Sequence, residues 1–399
     1  MQAASVTLNH PITPEWKRAS KNRGHPFHPM CSYMAMFPPS IPHYFIRRFT
    51  NPGDRVLDPF SGRGTTATEA CATGRVGIAN DLNPLAYVLS RAKVDPPEPA
   101  DVNARLSHLE AAYRDNPGSL SEEPAQIRPV FHDKTLRQLV FLRDTLSDSR
   151  EDIFIQATIL GILHGKYRRN GNDSIYLSVD MPNTFSMSPG YIQRFVKSKG
   201  LRYLDLDVFE NTRIRLQRLF REGLPENRGM AYQMDVRRLD EVVPAESINL
   251  VVSSPPYLKV VKYGLYNWIR LWFMGVPYEQ VDRDLDDAHD LPNYLVFMQD
   301  TIGQIERLLT PGGVCALVIG DVAENGNDPV NLAVAVWEGV RDQTNLRLID
   351  LVADPIAASH KVTKIWKQTR GQATTTDRIL VLCKGDRPNV DQPHFEWDI

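Results

Sequence analysis

Residues 54–66 are DRVLDPFSGRGTT, and this stretch decides the fold. It opens with a short apolar run typical of a buried strand, Asp54–Asp58, and continues into a turn that contains two glycines. A helix is predicted from about Thr65 to Cys71, and Val76–Ala79 predicts the next strand, which leads to Asp81. A strand, a glycine turn, a helix and a second strand form a βαβ unit, so the sequence predicts a parallel sheet in an α/β protein.

The pattern changes after the proline-rich stretch at 95–99. Apolar residues then recur at helical spacing in Leu136–Leu142, Ile153–Leu163 and Arg213–Phe220. A second α/β pattern begins near Gly229. Its predicted elements are strands at Ile248–Val252, Val314–Ile319 and Arg378–Cys383 and a helix at Tyr294–Leu309.

These changes in sequence pattern divide the chain into four predicted parts. We predict an N-terminal extension over 1–24, one α/β domain built from 25–95 and 229–385, a mainly helical insertion over 96–228, and a loosely held polar tail over 386–399.

Composition is that of an ordinary soluble globular protein, with 42% hydrophobic and 24% charged residues. The net charge is −2, so any binding to nucleic acid requires local basic patches. There is no run of about 18 apolar residues and no signal-like N-terminus, which predicts a cytoplasmic protein without a membrane span. The four cysteines are scattered, which favours reduced thiols and no metal site.

The glycine turn is a candidate ligand site. Gly62 and Gly64 allow a tight turn and leave room for a ligand against the backbone. Thr65 and Thr66 lie where the N–H groups of a helix start, and their own hydroxyls, could bind a polar ligand end. Because Ala67 stands where dinucleotide-binding motifs have a third glycine, a nicotinamide cofactor is disfavoured.

Asp81 follows the second predicted strand, within NDLNP at 80–84. A carboxylate at this place can accept hydrogen bonds from both hydroxyls of a ribose. The alternative is that Asp81 and Asn83 only cap the following helix.

The most informative stretch is INLVVSSPPY, residues 248–257, in which an apolar strand runs into Ser254, Pro255, Pro256 and Tyr257. Two prolines fix the backbone and remove two N–H donors, which leaves the Ser254 hydroxyl and the Pro255 carbonyl as acceptors beside an aromatic ring. Such acceptors suit an exocyclic amino group of a base, because they steady the positive charge that develops on methylation. Tyr257 could stack on a base flipped out of the duplex. A strand-ending turn with a packed tyrosine is the alternative.

These residues resemble the amino-group DNA methyltransferases. DPFSGRGTT at 58–66 resembles the cofactor motif of that family, SPPY at 254–257 its catalytic motif, and 80–84 its acidic motif. HPFHPM at 25–30 and MFPP at 36–39 look like the segment that folds over the methionine end of the cofactor. Met234-Asp235 looks like the acidic position near the adenine ring.

The resemblance implies a Rossmann-like methyltransferase sheet with S-adenosylmethionine as cofactor and double-stranded DNA as partner. The cofactor residues it implies are Phe37, Asp58, Phe60, Gly62, Gly64, Thr65, Thr66, Asp81, Asn83 and Asp235. One departure is Arg63, where the family usually has a small residue.

Within this family, serine before the two prolines points to N4 of cytosine, and aspartate or asparagine to N6 of adenine. Cytosine C5 chemistry is disfavoured, because it needs a thiolate from a Pro-Cys pair and no cysteine here follows a proline. The alternatives are an adenine-N6 enzyme, an RNA base methyltransferase and a catalytically inactive DNA-binding module. A DNA methyltransferase of this kind would fit restriction–modification, with a separate endonuclease or another defence component as partner.

Basic stretches are the candidate DNA contacts. They lie at 166–170, 194–202 and 360–370, and the insertion is the candidate for target recognition. The acidic stretch at 279–290 should face away from the duplex. The residues predicted to contact DNA are Lys166, Arg168, Arg169, Lys361, Lys364, Lys367 and Arg370.

Overall fold

A computed structural model gives the fold. It describes residues 6, 8–18, 24–34, 37–117, 119–166, 175–181, 186–256, 262–285, 290–321, 331–355 and 376–392. These residues form a seven-stranded sheet in the order β3-β2-β1-β4-β5-β7-β6. The strands are β1 (Arg55–Asp58), β2 (Val76–Asn80), β3 (Met230–Tyr232), β4 (Ile248–Ser253), β5 (Leu309–Gly320), β6 (Leu346–Pro355) and β7 (Thr376–Lys384).

Strands β1 to β5 are parallel, and β7 runs antiparallel to both of its neighbours, β5 and β6. The chain builds outward from β1 through β2 to β3 and then returns to the other side of β1 as β4. The order therefore reverses between β1 and β4, and in open α/β sheets ligands bind at the carboxyl ends of the strands at such a point. The sheet confirms the Rossmann-like α/β fold that the sequence predicts.

Helices lie on both sides of the sheet and in the region between β2 and β3. They are α1 (Ser40–Phe49), α2 (Thr65–Ala72), α3 (Pro84–Val94), α4 (Pro99–Asp115), α5 (Asp133–Thr145), α6 (Arg150–Ile162), α7 (Pro189–Lys199), α8 (Val208–Leu219), α9 (Tyr263–Tyr266), α10 (Trp268–Phe273), α11 (Tyr278–Asp284), α12 (Leu291–Leu308) and α13 (Leu332–Val340). Short 3₁₀ helices occur at Glu15–Arg18, Phe220–Glu222 and Val236–Glu241. None of the helices in the described part of the chain has the length and apolar character of a bilayer span.

The central strands are buried on both faces. Val56 and Leu250 pack with α1 and Trp16 on one face. Leu57 and Val251 point the other way and pack with α12 and α13. This alternation explains why β1 and β4 read as continuous apolar runs, since helices cover both faces of a parallel sheet.

The helices α4 to α8 share a core with the N-terminal segment and α3. Phe27 and Met30 lie in that core with Leu85 and Leu89 of α3 and with apolar residues of α6 and α8. The described part of the insertion is mainly helical, as the sequence predicts. Its role in target recognition remains a prediction.

The tail from 386 to 392 is not loosely held, contrary to the sequence expectation. Asp391 accepts a hydrogen bond at 3.1 Å from Arg48, whose side chain is buried. The Asn389 N–H donates to the Gly312 carbonyl at 3.0 Å. A buried guanidinium needs an anionic partner, and the tail supplies it.

Candidate active site

The glycine turn between β1 and α2 forms a tight loop. Gly62 and Gly64 have φ of 50° and 79°, in the left-handed region that favours glycine. A Cβ on Gly64 would lie 2.9 Å from the Ser90 hydroxyl of α3, so the loop passes too close to that helix for a side chain. The loop is thereby held at the carboxyl edge of the sheet.

Asp81 joins this loop to the end of β2. Its carboxylate accepts hydrogen bonds from the Gly62 N–H at 2.8 Å and from the Asn83 N–H at 2.9 Å. Burial raises the pKa of Asp81 to about 6, and these two backbone donors oppose the rise. Asp81 also lines the larger cavity described below, so its charge is positioned toward a ligand.

Asn83 caps α3, which is what the alternative interpretation of Asp81 and Asn83 as helix caps predicts for this residue. Its side-chain oxygen accepts from the Leu85 N–H at 3.0 Å, and its amide nitrogen donates to the Tyr33 hydroxyl at 2.9 Å. Tyr33 in turn stacks on Tyr263, with ring centroids 5.9 Å apart. Asn83 therefore holds an aromatic pair over the cavity that it lines.

The end of β4 lies directly beside the glycine loop, because β1 and β4 are paired with Leu57 opposite Val251. The Ser253 hydroxyl donates to the buried Asp58 carboxylate at 2.6 Å. Burial raises the pKa of Asp58 to about 7, and the bond from Ser253 opposes that rise. Ser254, Pro255 and Pro256 follow Ser253 directly. The predicted catalytic motif therefore begins beside the start of the glycine loop.

Two cavities open at this edge. The larger, of about 140 Å³, is lined mainly by loop ends and aromatic rings: Tyr33, Met34, Pro59, Phe60, Gly62, Asn80, Asp81, Leu82, Asn83, Met234, Asp235, Val236, Ser254, Pro255, Pro256, Tyr263, Asp284, Leu285, Tyr294 and Phe297. The smaller, of about 30 Å³, is lined by Tyr33, Phe37, Asp58, Phe60, Ser61, Gly62, Arg63, Thr65 and Ser254. Ser254 lines both.

The larger cavity combines apolar walls with hydrogen-bonding groups. The rings of Phe60 and Phe297 are 5.8 Å apart, beside Val236. The side-chain oxygen of Asn80 is buried without a hydrogen-bond partner among the described residues. A flat ring with polar edges and a sugar would complement these groups, because a buried acceptor without a partner costs free energy until a ligand satisfies it.

Asp235 lies at the rim of this cavity. It begins the 3₁₀ helix at Val236–Glu241 and accepts from the Arg237 N–H at 2.9 Å. The Arg237 guanidinium also bonds it and holds the pKa of Asp235 below its usual value. Asp235 is thus a fixed, ionised acceptor.

Two of the predicted cofactor residues line neither cavity. The Thr66 side chain is buried, and its hydroxyl donates to the Val252 carbonyl at 3.0 Å, so it anchors α2 to β4 and does not face a ligand. Gly64 faces α3. Thr65 and Phe37 line the smaller cavity as expected for a ligand site.

The segment at 25–30 also departs from the expectation that it covers the ligand. His28 is buried and bonds Glu69 of α2 at 2.8 Å. Glu69 also bonds His43 at 2.7 Å. The segment therefore packs against α2, and it is Tyr33 and Met34, a few residues later, that reach the cavity.

Several predicted site residues lie outside the described residues. They are Tyr257, Arg168, Arg169, Lys361, Lys364, Lys367 and Arg370. Lys166 is described and exposed.

Part of the acidic stretch at 279–290 faces the site, whereas the sequence predicts that this stretch faces away from the duplex. Asp284 and Leu285 line the larger cavity. Asp282 accepts from the N–H groups of Gly264 and Leu265, at 2.7 Å and 3.0 Å, and thereby fixes α11 against α9.

Sequence reasoning missed the aromatic walls. Tyr33, Tyr263, Tyr294 and Phe297 come from separate segments and meet only in the folded chain. Of these residues, only Tyr33 lies close in sequence to a predicted site segment, the one at 25–30.

Clustered metal ligands and exposed thiols are both missing from the described residues. In the ranges that the structure describes, no three His, Cys, Asp or Glu side chains form a group that could hold a metal ion. All four cysteines are buried and free. Burial raises the pKa of Cys71 to about 12 and that of Cys383 to about 11, so these thiols are protonated at neutral pH.

Comparison with known proteins gives three kinds of match. Residues 6–89 match the model of a family described as DNA methylase. The type II methyltransferase M.MvaI of Kocuria varians is 22% identical over 358 residues, which are 84% of this chain and 73% of that protein. M.MjaII of Methanocaldococcus jannaschii is 32% identical over 76 residues, 19% of this chain and 14% of that protein.

Among solved structures, TrmN from Thermus thermophilus is similar over 90% of this chain, with 13% identity and a TM-score of 0.34. The chain spans about half of that structure, 52%. The family match covers the glycine loop and Asp81, both of which line the larger cavity.

Proposed function

We propose that this chain is an amino-group DNA methyltransferase that takes its methyl group from S-adenosylmethionine and methylates the exocyclic N4 of cytosine in duplex DNA. The observation that carries the proposal is that Ser254 lines both cavities, at the junction of the glycine loop and the two prolines. A residue at that junction can contact an amino group that lies beside the methyl donor.

The residues of the larger cavity fit the adenosyl part of the cofactor. Asp81 would accept hydrogen bonds from the ribose hydroxyls, as a buried carboxylate at the end of β2 can. Phe60 and Phe297 would flank the adenine, with Asp235 at its edge. When bound, the sulfonium of the cofactor supplies an electrophilic methyl group.

The amine is activated by acceptors of this chain. Its lone pair is delocalised into the base, so it is a weak nucleophile. The Ser254 hydroxyl and the Pro255 carbonyl would accept hydrogen bonds from its N–H groups and stabilise the positive charge as the new C–N bond forms and the C–S bond to the methyl breaks. S-adenosylhomocysteine leaves as a neutral thioether, and the methylated amine then loses one proton to water. Because Pro255 and Pro256 restrict the backbone, these acceptors are held in place before the substrate arrives.

The target base must leave the duplex, since its amino group cannot be reached inside the stack. Tyr257 would stack on the flipped base, as the family motif implies. The choice of cytosine rests on serine at 254. The amino group of adenine could be methylated by the same chemistry. The experiment below must therefore distinguish N4-methylcytosine from N6-methyladenine.

The DNA would lie along a basic surface around α7. Arg194, Lys197 and Lys199 are exposed, and no ion pair joins them to a carboxylate within the described ranges. The start of α7 is held by the Trp268 side chain, which donates to the Met187 carbonyl at 2.6 Å. Trp268 follows α9, whose Tyr263 lines the larger cavity, and so links this surface to the site.

The remaining DNA contacts are assigned to Lys166 and to the basic residues around 168–169 and 361–370. Sequence recognition is assigned to the insertion at 96–228. On this proposal the enzyme works in the cytoplasm, and a separate restriction endonuclease or another defence component would act on the same sequence when it is unmethylated.

Nucleoside analysis of DNA tests the proposal. DNA from cells that lack their own methylation, and that express the chain, should contain N4-methylcytosine by liquid chromatography and mass spectrometry. Cells expressing Tyr257→Ala at the same level are the matched control. N6-methyladenine would overturn the choice of base, and methylation found only in RNA would overturn the choice of nucleic acid.

A further inference from the structure

The smaller cavity contains a cation without an anionic partner. Arg63, the residue between the two glycines of the loop, lines it. The Arg63 Nε donates to the Thr65 hydroxyl at 3.3 Å, and no carboxylate of the described residues lies within ion-pair distance of its guanidinium. Burial lowers the pKa of Arg63, which is the signature of a charge that the fold itself does not compensate.

Two more basic side chains lie near this loop, since Lys93 contacts Arg63 and the charge of Arg215 acts on Lys93. Lys93 is fully buried, and its Nζ donates to the Arg63 carbonyl at 2.6 Å. Arg215 donates to the carbonyls of Pro29 and Met30, and its Nε is buried without a hydrogen-bond partner among the described residues. Burial first, and the charge of Arg63 second, hold the pKa of Lys93 well below its usual value.

The buried carboxylate of α2 does not neutralise this group. Glu69 bonds two histidines, His28 and His43. Within the described ranges, Arg63, Lys93 and Arg215 all bond neutral oxygens. A part-buried guanidinium is costly unless an opposite charge joins it, so Arg63 favours an anion in the cavity that it lines.

A carboxyl group also lines this cavity. Asp58 lines it, as does Thr65 at the start of α2, where backbone N–H groups favour an anionic group. A small cavity lined by both a guanidinium and a carboxyl suits a zwitterion. The α-amino acid end of a ligand is such a group, with its carboxylate toward Arg63 and its ammonium toward Asp58.

We propose that Arg63 binds the α-carboxylate at the methionine end of S-adenosylmethionine and thereby selects ligands with an intact amino-acid end. The inference rests on the proposed function for the identity of the ligand. A planar guanidinium can donate two parallel hydrogen bonds to a carboxylate, which a lysine cannot. Arg63 is thus a binding residue that this chain has in place of the small residue usual in the family.

Calorimetry on the full chain with two nucleosides tests this. S-adenosylhomocysteine has the amino-acid end, and 5′-methylthioadenosine lacks it. Arg63→Ser should weaken the binding of S-adenosylhomocysteine about ten- to hundredfold and leave that of 5′-methylthioadenosine within about twofold. Arg63→Lys keeps the charge and should show an intermediate loss. Arg114→Ser, at an exposed arginine on α4, is the matched control and should change neither.

Two outcomes would overturn the inference. One is an unchanged affinity of Arg63→Ser for S-adenosylhomocysteine. The other is an equal loss for both nucleosides, which would mean that Arg63 only shapes the loop. If Arg63→Ser does not fold, the same ratio measured on Arg63→Lys decides. In either case wild-type binding of S-adenosylhomocysteine keeps the cofactor assignment, whereas a wild-type chain that binds neither nucleoside counts against the proposed function itself.

Discussion

The Ser253 hydroxyl donates a 2.6 Å hydrogen bond to the Asp58 carboxylate, and both groups are buried. Asp58 ends β1 and opens the cofactor loop, while Ser253 ends β4 and precedes the two prolines. The two strands are neighbours, so this bond fixes the distance between the group that would hold the cofactor and the group that would hold the base. Methyl transfer depends on that distance, because reacting atoms must be held close and aligned.

Removing this bond should cost stability in a pH-dependent way. Ser253→Ala leaves a buried carboxylate short of one donor, and we expect the free energy of unfolding to fall by about 1–3 kcal/mol at pH 8. Because the pKa of Asp58 is raised to about 7, the carboxyl is neutral at pH 5, and the loss there should be smaller. Urea denaturation at both pH values measures this. Ser247→Ala, whose hydroxyl bonds the Pro244 carbonyl, is the control. An equal loss at both pH values would contradict the role given to the charge.

Cofactor binding should strengthen as the pH rises through about 6. Burial raises the pKa of Asp81 to that value, above the usual range of a carboxyl, so the charged acceptor for the ribose is present above it and lost below it. Asp81→Asn should weaken the binding of S-adenosylhomocysteine by about 1.5–3 kcal/mol at pH 7.5 and remove the step near pH 6. Calorimetry between pH 5 and 8 on both proteins checks this. A variant with the wild-type profile would exclude Asp81 from the ribose site.

Local patterns are sufficient to predict the centre of the fold. Buried parallel strands such as β1 and β4 have uninterrupted apolar runs in the sequence. The loop at Gly62 and Gly64 has positive φ angles, which glycine adopts more easily than other residues, so its two glycines indicate a tight turn. The pairing of β1 with β4 then brings the two predicted motifs together. Both motifs can therefore be assigned to one edge of the sheet from the sequence, whereas the distance between them needs the folded chain.

The parts that escape prediction have no local signal. Strand β3 is three half-buried residues long, and β6 has Arg347 and Asp350 within it. The rings of Tyr33, Tyr263 and Phe297 meet across long stretches of sequence. The direction of a side chain is equally hidden, which is why the sequence assigns Thr66 to the ligand although its hydroxyl bonds the sheet.

Neutralising the α7 surface should weaken DNA binding mainly through electrostatics. A triple change of Arg194, Lys197 and Lys199 to alanine removes cations that would bind phosphates. The slope of log affinity against log salt should become shallower by up to about 0.9 for each phosphate that the variant no longer neutralises. Fluorescence anisotropy on a duplex at several salt concentrations measures the slope, and binding of S-adenosylhomocysteine should stay unchanged.

The control for this surface is the triple alanine variant of Arg114, Arg221 and Arg341, which are exposed arginines that pair with acidic neighbours. It should keep the wild-type slope. If both triple variants change the slope equally, α7 is not a specific DNA surface.

The sharpest separation is between the chemical step and base capture. Ser254 lines both cavities and would accept a hydrogen bond mainly as charge develops on the amine, so Ser254→Ala should lower the rate of methyl transfer with little loss of affinity for DNA or cofactor. Tyr257→Ala should impair both capture and turnover, because stacking on a base is worth about 1–3 kcal/mol, whereas Tyr257→Phe keeps the ring and should be mild. Single-turnover kinetics on a duplex that carries the target site, together with binding measurements, tests both residues. A fully active Ser254→Ala enzyme would exclude the hydroxyl from the reaction, and equal damage from phenylalanine and alanine at 257 would mean that stacking is not the role of that ring. If the product is N6-methyladenine, the same acceptors still polarise the amine and only the choice of base is wrong.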